Sequence, residues 1–223
     1  MATSHCKSAR QNTKTEMIKE RPILFSGQMV RALLDGRKTQ TRRIVKTGCE
    51  IAGCELNSML RQELDQGAGG FLCPYGQPGD MLWVRETWGS INADHPKCKG
   101  GKKPMQGDKI VYRSNPADDY QWGSGKPSQG SFVWRPSIFM PRWASRITLE
   151  IASVRVERLQ DIETNDCYEE GITRPKGPIW GSEVTQRDNA VGAYREIWNS
   201  INGPDSWDKN PWVWVIEFSN HQP

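Results

Sequence analysis

Apolar residues fall into a rhythm only from Arg21-Pro22 onward; residues 1 to 20 have none and are expected to form a disordered polar tail. Ile23-Leu24-Phe25 predicts a short strand. Ser26 then caps a helix in which Met29, Val30, Leu33 and Leu34 share a face, and Gly36 ends it by taking the left-handed conformation. After the Pro78-Gly79 turn, Met81 to Glu86 predicts a strand with Met81, Trp83 and Arg85 on one face and Leu82, Val84 and Glu86 on the other. Arg146 to Glu157 carries the clearest strand pattern. Its apolar residues sit at odd positions through Ile151 and at even ones from Val154. Strand side chains alternate with a period of two, so the slip at Ala152-Ser153 predicts a β-bulge or a sharp bend.

A short helix is expected from Thr164, as N-cap, to Glu170, with Gly171 terminating it and Ile172 folding back. A longer one at about 187–201 places Val191, Tyr194, Trp198 and Ile201 on one stripe. Trp212 to Phe218 is apolar on both faces, the pattern of a central buried strand. Residues 47–79 and 89–130 are rich in Gly and polar residues and read as long insertions, the second with one strand-like run at Lys109 to Arg113. Strands outnumber helices without alternating regularly with them. The expected class is therefore α+β, mainly β: a small antiparallel barrel with flanking helices, as one domain over 21–219.

Composition narrows the function classes. Thirty Lys+Arg against 26 Asp+Glu leave a net charge of +4, too little for a polycation that coats nucleic acid but compatible with a local basic groove. No apolar run reaches the roughly 18 residues of a membrane span, and the polar start lacks the apolar core of a secretory signal. A cytoplasmic protein is expected, with its six cysteines as reduced thiols. Cys49, Cys54, Cys73 and Cys98 share one Gly-rich region but lack paired C-x2-C spacing, so no metal and no cofactor is expected. His5, His95 and His221 show no ligand or triad spacing. Ten Trp against five Phe and five Tyr provide either core filling or stacking platforms for bases.

The densest polar cluster is Gly36-Arg37-Lys38-Thr39-Gln40-Thr41-Arg42-Arg43, directly after the first helix. It reads either as a solvated basic helix exit or as side chains converging on an anion. In a strand, Lys38 and Thr41 face opposite ways, so they meet only if the backbone bends between them. A threonine hydroxyl needs a base, and a lysine provides one only if burial or neighbouring cations lower its pKa.

The pattern G-x-K-x-x-T-x-R, filled by Gly36, Lys38, Thr41 and Arg43, resembles the signature of the ASCH family, whose domains are similar to the PUA RNA-binding barrel. Tyr75 to Glu86, Trp134 to Ile138 and Asn210 to Phe218 agree with it in order, and together they resemble the tryptophan-rich ASCH proteins of bacteriophages and prophages over about residues 21 to 219. The resemblance implies a PUA-like pseudo-barrel with a cleft between strands and first helix, in the cytoplasm of a bacterial host. It implies binding of RNA or a modified nucleoside or nucleotide. Some members are amidohydrolases that deacylate N4-acetylcytidine with a Lys, a Thr and a Glu, and others have been proposed as ribonucleases. Lys38 and Thr41 match the first two by motif; the acidic helix before a glycine points to Glu170, with Glu169 as the fallback.

Around that cleft, Arg37, Arg42 and Arg43 are the expected phosphate contacts, and Trp83, Arg85 and Glu86 a strand that positions a base or else packs as core. Arg135 belongs to an Arg/Trp segment, 134–143, suited to single-stranded nucleic acid and unsuited to a helix because of its prolines. As cleft residues Lys38 and Thr41 are expected to be exposed, so that replacing either abolishes any turnover while the melting temperature hardly changes.

Overall fold

The computed structural model describes residues 18–45, 73–91, 105–115, 134–174 and 183–221. Within them run β1 (Glu20–Leu24), α1 (Gly27–Leu34), β2 (Gln40–Ile44), β3 (Met81–Arg85), β4 (Trp88–Ile91), β5 (Lys109–Tyr112), β6 (Thr148–Arg158), α2 (Thr164–Glu169), α3 (Glu183–Asn202) and β7 (Trp212–His221). Five strands form one sheet in the order β1-β3-β6-β7-β2, and β4 pairs with β5. Among these pairings β1–β3 alone is parallel.

The fold is α+β, but the described sheet is open where a barrel was expected: its edges, β1 and β2, share no ladder. Pro22 in β1 lacks an N–H to donate, a residue suited to an edge. A side chain spans the gap instead, with the Arg43 guanidinium donating to the Leu24 carbonyl at 2.6 Å.

β7 lies inside the sheet and explains its doubly apolar sequence. Trp214, Ile216 and Phe218 pack with Ile23, Phe25, Val30 and Leu33 into the core under α1. Val213 and Val215 pack with Cys167, Tyr194 and Trp198 into a second core under α2 and α3. The slip in β6 is a register shift: Ile151 pairs with Phe218 and Ser153 with Glu217, leaving Ala152 over. Beyond it Val154 and Val156 pack on the first core, and Arg155 and Glu157 lie opposite Val215 and Val213, on the α2 side.

Several boundaries differ from the sequence reading. Glu20 already pairs with Met81, and the Lys19 N–H donates to Asp80, so order begins before Arg21. The supposed insertion after Gly89 contains most of β4, which pairs with β5, and Cys73, at the end of the first insertion, is buried in the first core. The tail at 1–17 and the remainder of both insertions lie outside the described residues. α2 is capped by Glu163 rather than Thr164, because Glu163 and Asp166 form a reciprocal capping box. α3 begins at Glu183 and leaves Ile201 exposed. Residues 134–143 form 3₁₀ turns at Ser137–Phe139 and Arg142–Ala144, each following a proline.

Candidate functional site

Gly36, at φ +70°, turns the chain out of α1. The N–H groups of Arg37 and Lys38 both donate to the Ala32 carbonyl, and that of Thr39 donates to the Glu169 carbonyl. These bonds seat Lys38 just before β2, between α1 and the end of α2. The end of α2 is fixed by Gly171, at φ +103°, and by Ile172, whose N–H returns to the Cys167 carbonyl.

Lys38 Nζ donates to Glu170 Oε2 at 2.6 Å, to the Gln40 carbonyl at 2.7 Å and to the Glu170 carbonyl at 2.9 Å. An ammonium has three protons, and all three are used. Burial pulls the Lys38 pKa below its ordinary value, against the pull of the Glu170 carboxylate. Lys38 lies before the ladder in which Thr41 pairs with Ile216, and its ammonium contacts Glu170 and the Gln40 carbonyl.

Arg42 lies on the other face of β2, opposite Val215. Its fully buried guanidinium meets Asp166 at 2.8 Å, Glu157 at 3.3 Å and Glu170 at 3.5 Å. Gln40 donates to Asp166, and Arg155 pairs with Glu157, Glu217 and Asp166. Burial raises the Asp166 carboxyl, but the bonds from Gln40 and the Glu163 N–H, and then the Arg42 charge, outweigh it and hold the pKa below the usual range.

The cluster is therefore not an exposed basic groove. Lys38 is 3% exposed, Thr41 1% and Arg42 4%. Carboxylates from distant parts of the chain neutralise Lys38 and Arg42, because buried charges must be paired. Arg37 is exposed and tied to Asp35 and the Gly171 carbonyl. Arg43 forms no ion pair among the described residues; its guanidinium binds the Leu24 carbonyl and stands 5.2 Å from the centre of the Phe25 ring.

Two cavities adjoin at Glu170. The smaller, about 230 Å³, is lined by Thr41, Arg42, Arg43, Glu170, Tyr194 and Trp198 among others. The larger, about 960 Å³, runs between α1, Glu86–Thr87, Arg113–Ser114 and α3. Met29, Glu170, Tyr194, Ile197 and Ile201 line both. The Tyr194 hydroxyl stands 3.5 Å from Glu170 Oε1, and burial, then Glu170, push its pKa well above the usual value.

Among the remaining candidates, Glu86 lines the larger cavity but is buried, bound to Arg146 at 2.9 Å and to Ser114. Trp83 and Arg85 do not reach either cavity. Arg85 stacks over Trp83 at 5.2 Å and donates to the Met140 and Ile138 carbonyls, which occupy its guanidinium. Arg135 lies 6.0 Å from the Trp88 ring, bridging β4 instead of facing the cavities. Glu169 is half-buried, its carboxyl raised by burial and by Asp166, and it lines neither cavity. The sequence reading missed Asp166 and Glu157 as partners of Arg42, and took Tyr194 and Trp198 as helix stripe only.

Compared with known protein families, curated proteins and solved structures, the chain shows no match. Among the described residues no helix is long and apolar enough to cross a membrane, and no group of three or more His, Cys, Asp or Glu side chains is placed to hold a metal ion. Cys49, Cys54 and Cys98 lie outside those residues.

Proposed function

We propose that this chain is a PUA-like, ASCH-type amidohydrolase of the bacteriophage kind that removes the acyl group from an N4-acylated cytidine. One observation carries the reading: Glu170, paired with Lys38, stands where the two cavities meet, and Thr41 lines the smaller one beside it. A ligand made of a small acyl group and a larger nucleoside would place its C–N bond at that junction. The motif resemblance to deacylating ASCH proteins supports the same three residues.

In this reading Lys38 passes a proton to Glu170 across the 2.6 Å contact, which leaves an amine and a carboxylic acid in place of a buried ion pair. The amine takes the Thr41 hydroxyl proton, and the oxygen attacks the acyl carbon. Glu170 protonates the departing N4 nitrogen, and the C–N bond breaks. Water then hydrolyses the threonine ester, releasing the carboxylic acid and restoring the hydroxyl. Incubation with N4-acetylcytidine should release cytidine and acetate in equal amounts; a protein that leaves the nucleoside intact over hours sinks the reading.

A second reading, binding of the modified base within RNA, is favoured by Arg31 and Arg113. Both are exposed, line the larger cavity and make no ion pair among the described residues.

A further inference from the structure

Arg31 and Arg113 are exposed on the wall of the larger cavity, and their guanidinium groups have no hydrogen bond, ion pair or ring contact among the described residues. Every other arginine with a described side chain has one. The two left over come from parts of the chain far apart, α1 and the residue after β5, and approach the same spot. A Cβ built on Gly27 would stand 3.8 Å from Arg31 Nη1 and 4.0 Å from the Cα of Ser114, the neighbour of Arg113. The charge on this wall is unbalanced. Its three acids are committed, Asp35 to Arg37, Glu86 to Arg146 and Glu170 to Lys38. With those pairs cancelled, the two positive charges of Arg31 and Arg113 remain. A phosphate monoester carries about −1.5 to −2 at neutral pH, the charge that two arginines neutralise, and a guanidinium fork matches its oxygens. The spacing along α1 fits a nucleotide. Ala32 packs on Gly171, next to Glu170, whereas Gly27 lies about 7.5 Å away in helix rise alone. That is close to the reach of a pyrimidine nucleoside from its exocyclic nitrogen to the far end of the ribose. At about 960 Å³ the cavity has room for base, ribose and phosphate together.

We propose that Arg31 and Arg113 hold a ribose phosphate monoester, so that the ligand of this cavity is a cytidine nucleotide with its N4 end at Glu170 and its phosphate beside Gly27. The inference rests on the deacylase reading only for the identity of the base; the phosphate site stands on the two arginines. A phosphodiester within a strand brings one negative charge to this spot and continues out of the cavity. A monoester brings nearly two and ends there, as the charge left on the wall requires.

Binding is measured without turnover, by calorimetry on the full chain at low, constant ionic strength, with deacylated probes. Cytidine 5′-monophosphate should bind at least about tenfold tighter than cytidine, as charge-assisted hydrogen bonds from two arginines provide. Its methyl diester, with one charge fewer, should fall between them. Arg31→Gln and Arg113→Gln should each lose several-fold of that gain, and the double variant should bind the monophosphate no tighter than the wild type binds cytidine. Arg195→Gln, whose arginine pairs with Asp208 and lines neither cavity, should bind as the wild type does. Arg31 and Arg113 are exposed, so thermal melts of their variants should match the wild type's. A monophosphate that binds no tighter than cytidine overturns the proposal, as does a gain that survives the double replacement. A diester that binds as tightly as the monoester overturns it too, and leaves the arginines to the phosphates of a strand. Tighter monophosphate binding with no acetate released from N4-acetylcytidine or its 5′-monophosphate would leave the phosphate site standing and remove the deacylase reading. Acetate released with equal kcat/KM from nucleoside and nucleotide would keep the deacylase and remove the phosphate site.

Discussion

Gly171 is packed against Ala32 so closely that a Cβ added to it would stand 2.9 Å from the Ala32 Cβ, and 3.5 Å from that of Lys38. Gly171 also holds φ at +103°, which a side chain resists. The residue that ends α2 thus sets how near Glu170, one position earlier, comes to Lys38. Gly171→Ala is expected to cost about 1–3 kcal/mol from overpacking and backbone strain together. It should also lower turnover more than a surface substitution of equal stability cost, as read by thermal melts and kcat side by side.

The buried pair changes what substitution at Lys38 should do. The sequence reading expected an exposed lysine whose loss leaves the melting temperature alone; the side chain is fully buried against Glu170. Removing one member strands the other, so Lys38→Met and Glu170→Gln should each destabilise by about 3–5 kcal/mol in denaturant titrations. Thr41→Ser keeps the hydroxyl and should keep most activity, whereas Thr41→Val should remain folded and inactive. An active Thr41→Val would end the nucleophile assignment.

Much of the framework was legible because it rests on local periodicity. The slip at Ala152-Ser153 could be read since a period of two admits no other account, and β7 announced its central place by being apolar on both faces. Glu170 was singled out only because the resemblance called for a glutamate near a glycine; its pairing with Lys38 comes from the packing of α2 against α1 and β2. The burial of Lys38 and Arg42 was not: their partners lie 115 to 132 residues away, and nothing local distinguishes a paired cation from a solvated one. The short β4, with a glycine inside it, gave too little alternation to register. The open edge between β1 and β2 depends on ladders that no sequence pattern states.

Acid should reach the network through Asp166. Its folded pKa lies below the ordinary 3.8, so the stability it contributes is complete above the unfolded value and is lost as pH falls through the folded one. Asp80 behaves alike: burial pushes its carboxyl up, but the N–H groups of Lys19 and Gln77 and the Arg21 guanidinium hold it lower. Asp166→Asn and Asp80→Asn should each reduce stability at neutral pH and flatten its fall below about pH 4. Unfolding free energies at a series of pH values test this, and acid limbs parallel to the wild type's would contradict it.

If RNA binds, the cations that feel it are those open to solvent. Arg42, held by Glu157, Asp166 and Glu170, cannot turn to a phosphate without abandoning three carboxylates, so Arg42→Gln should act on stability and not on salt dependence. Arg31 and Arg113 rim the larger cavity without acidic partners among the described residues. Each phosphate contact to a single strand releases about 0.7 counterion, so two contacts give a log–log salt slope of about −1.4. Replacing both arginines with glutamine should bring the slope close to zero, while affinity for the free modified nucleoside changes little. Fluorescence anisotropy with a short labelled RNA, from low to moderate salt, measures it. A slope that survives the double replacement would move the RNA to another face. Nucleoside binding that falls together with RNA binding would mean the arginines hold the base or ribose instead of the phosphates.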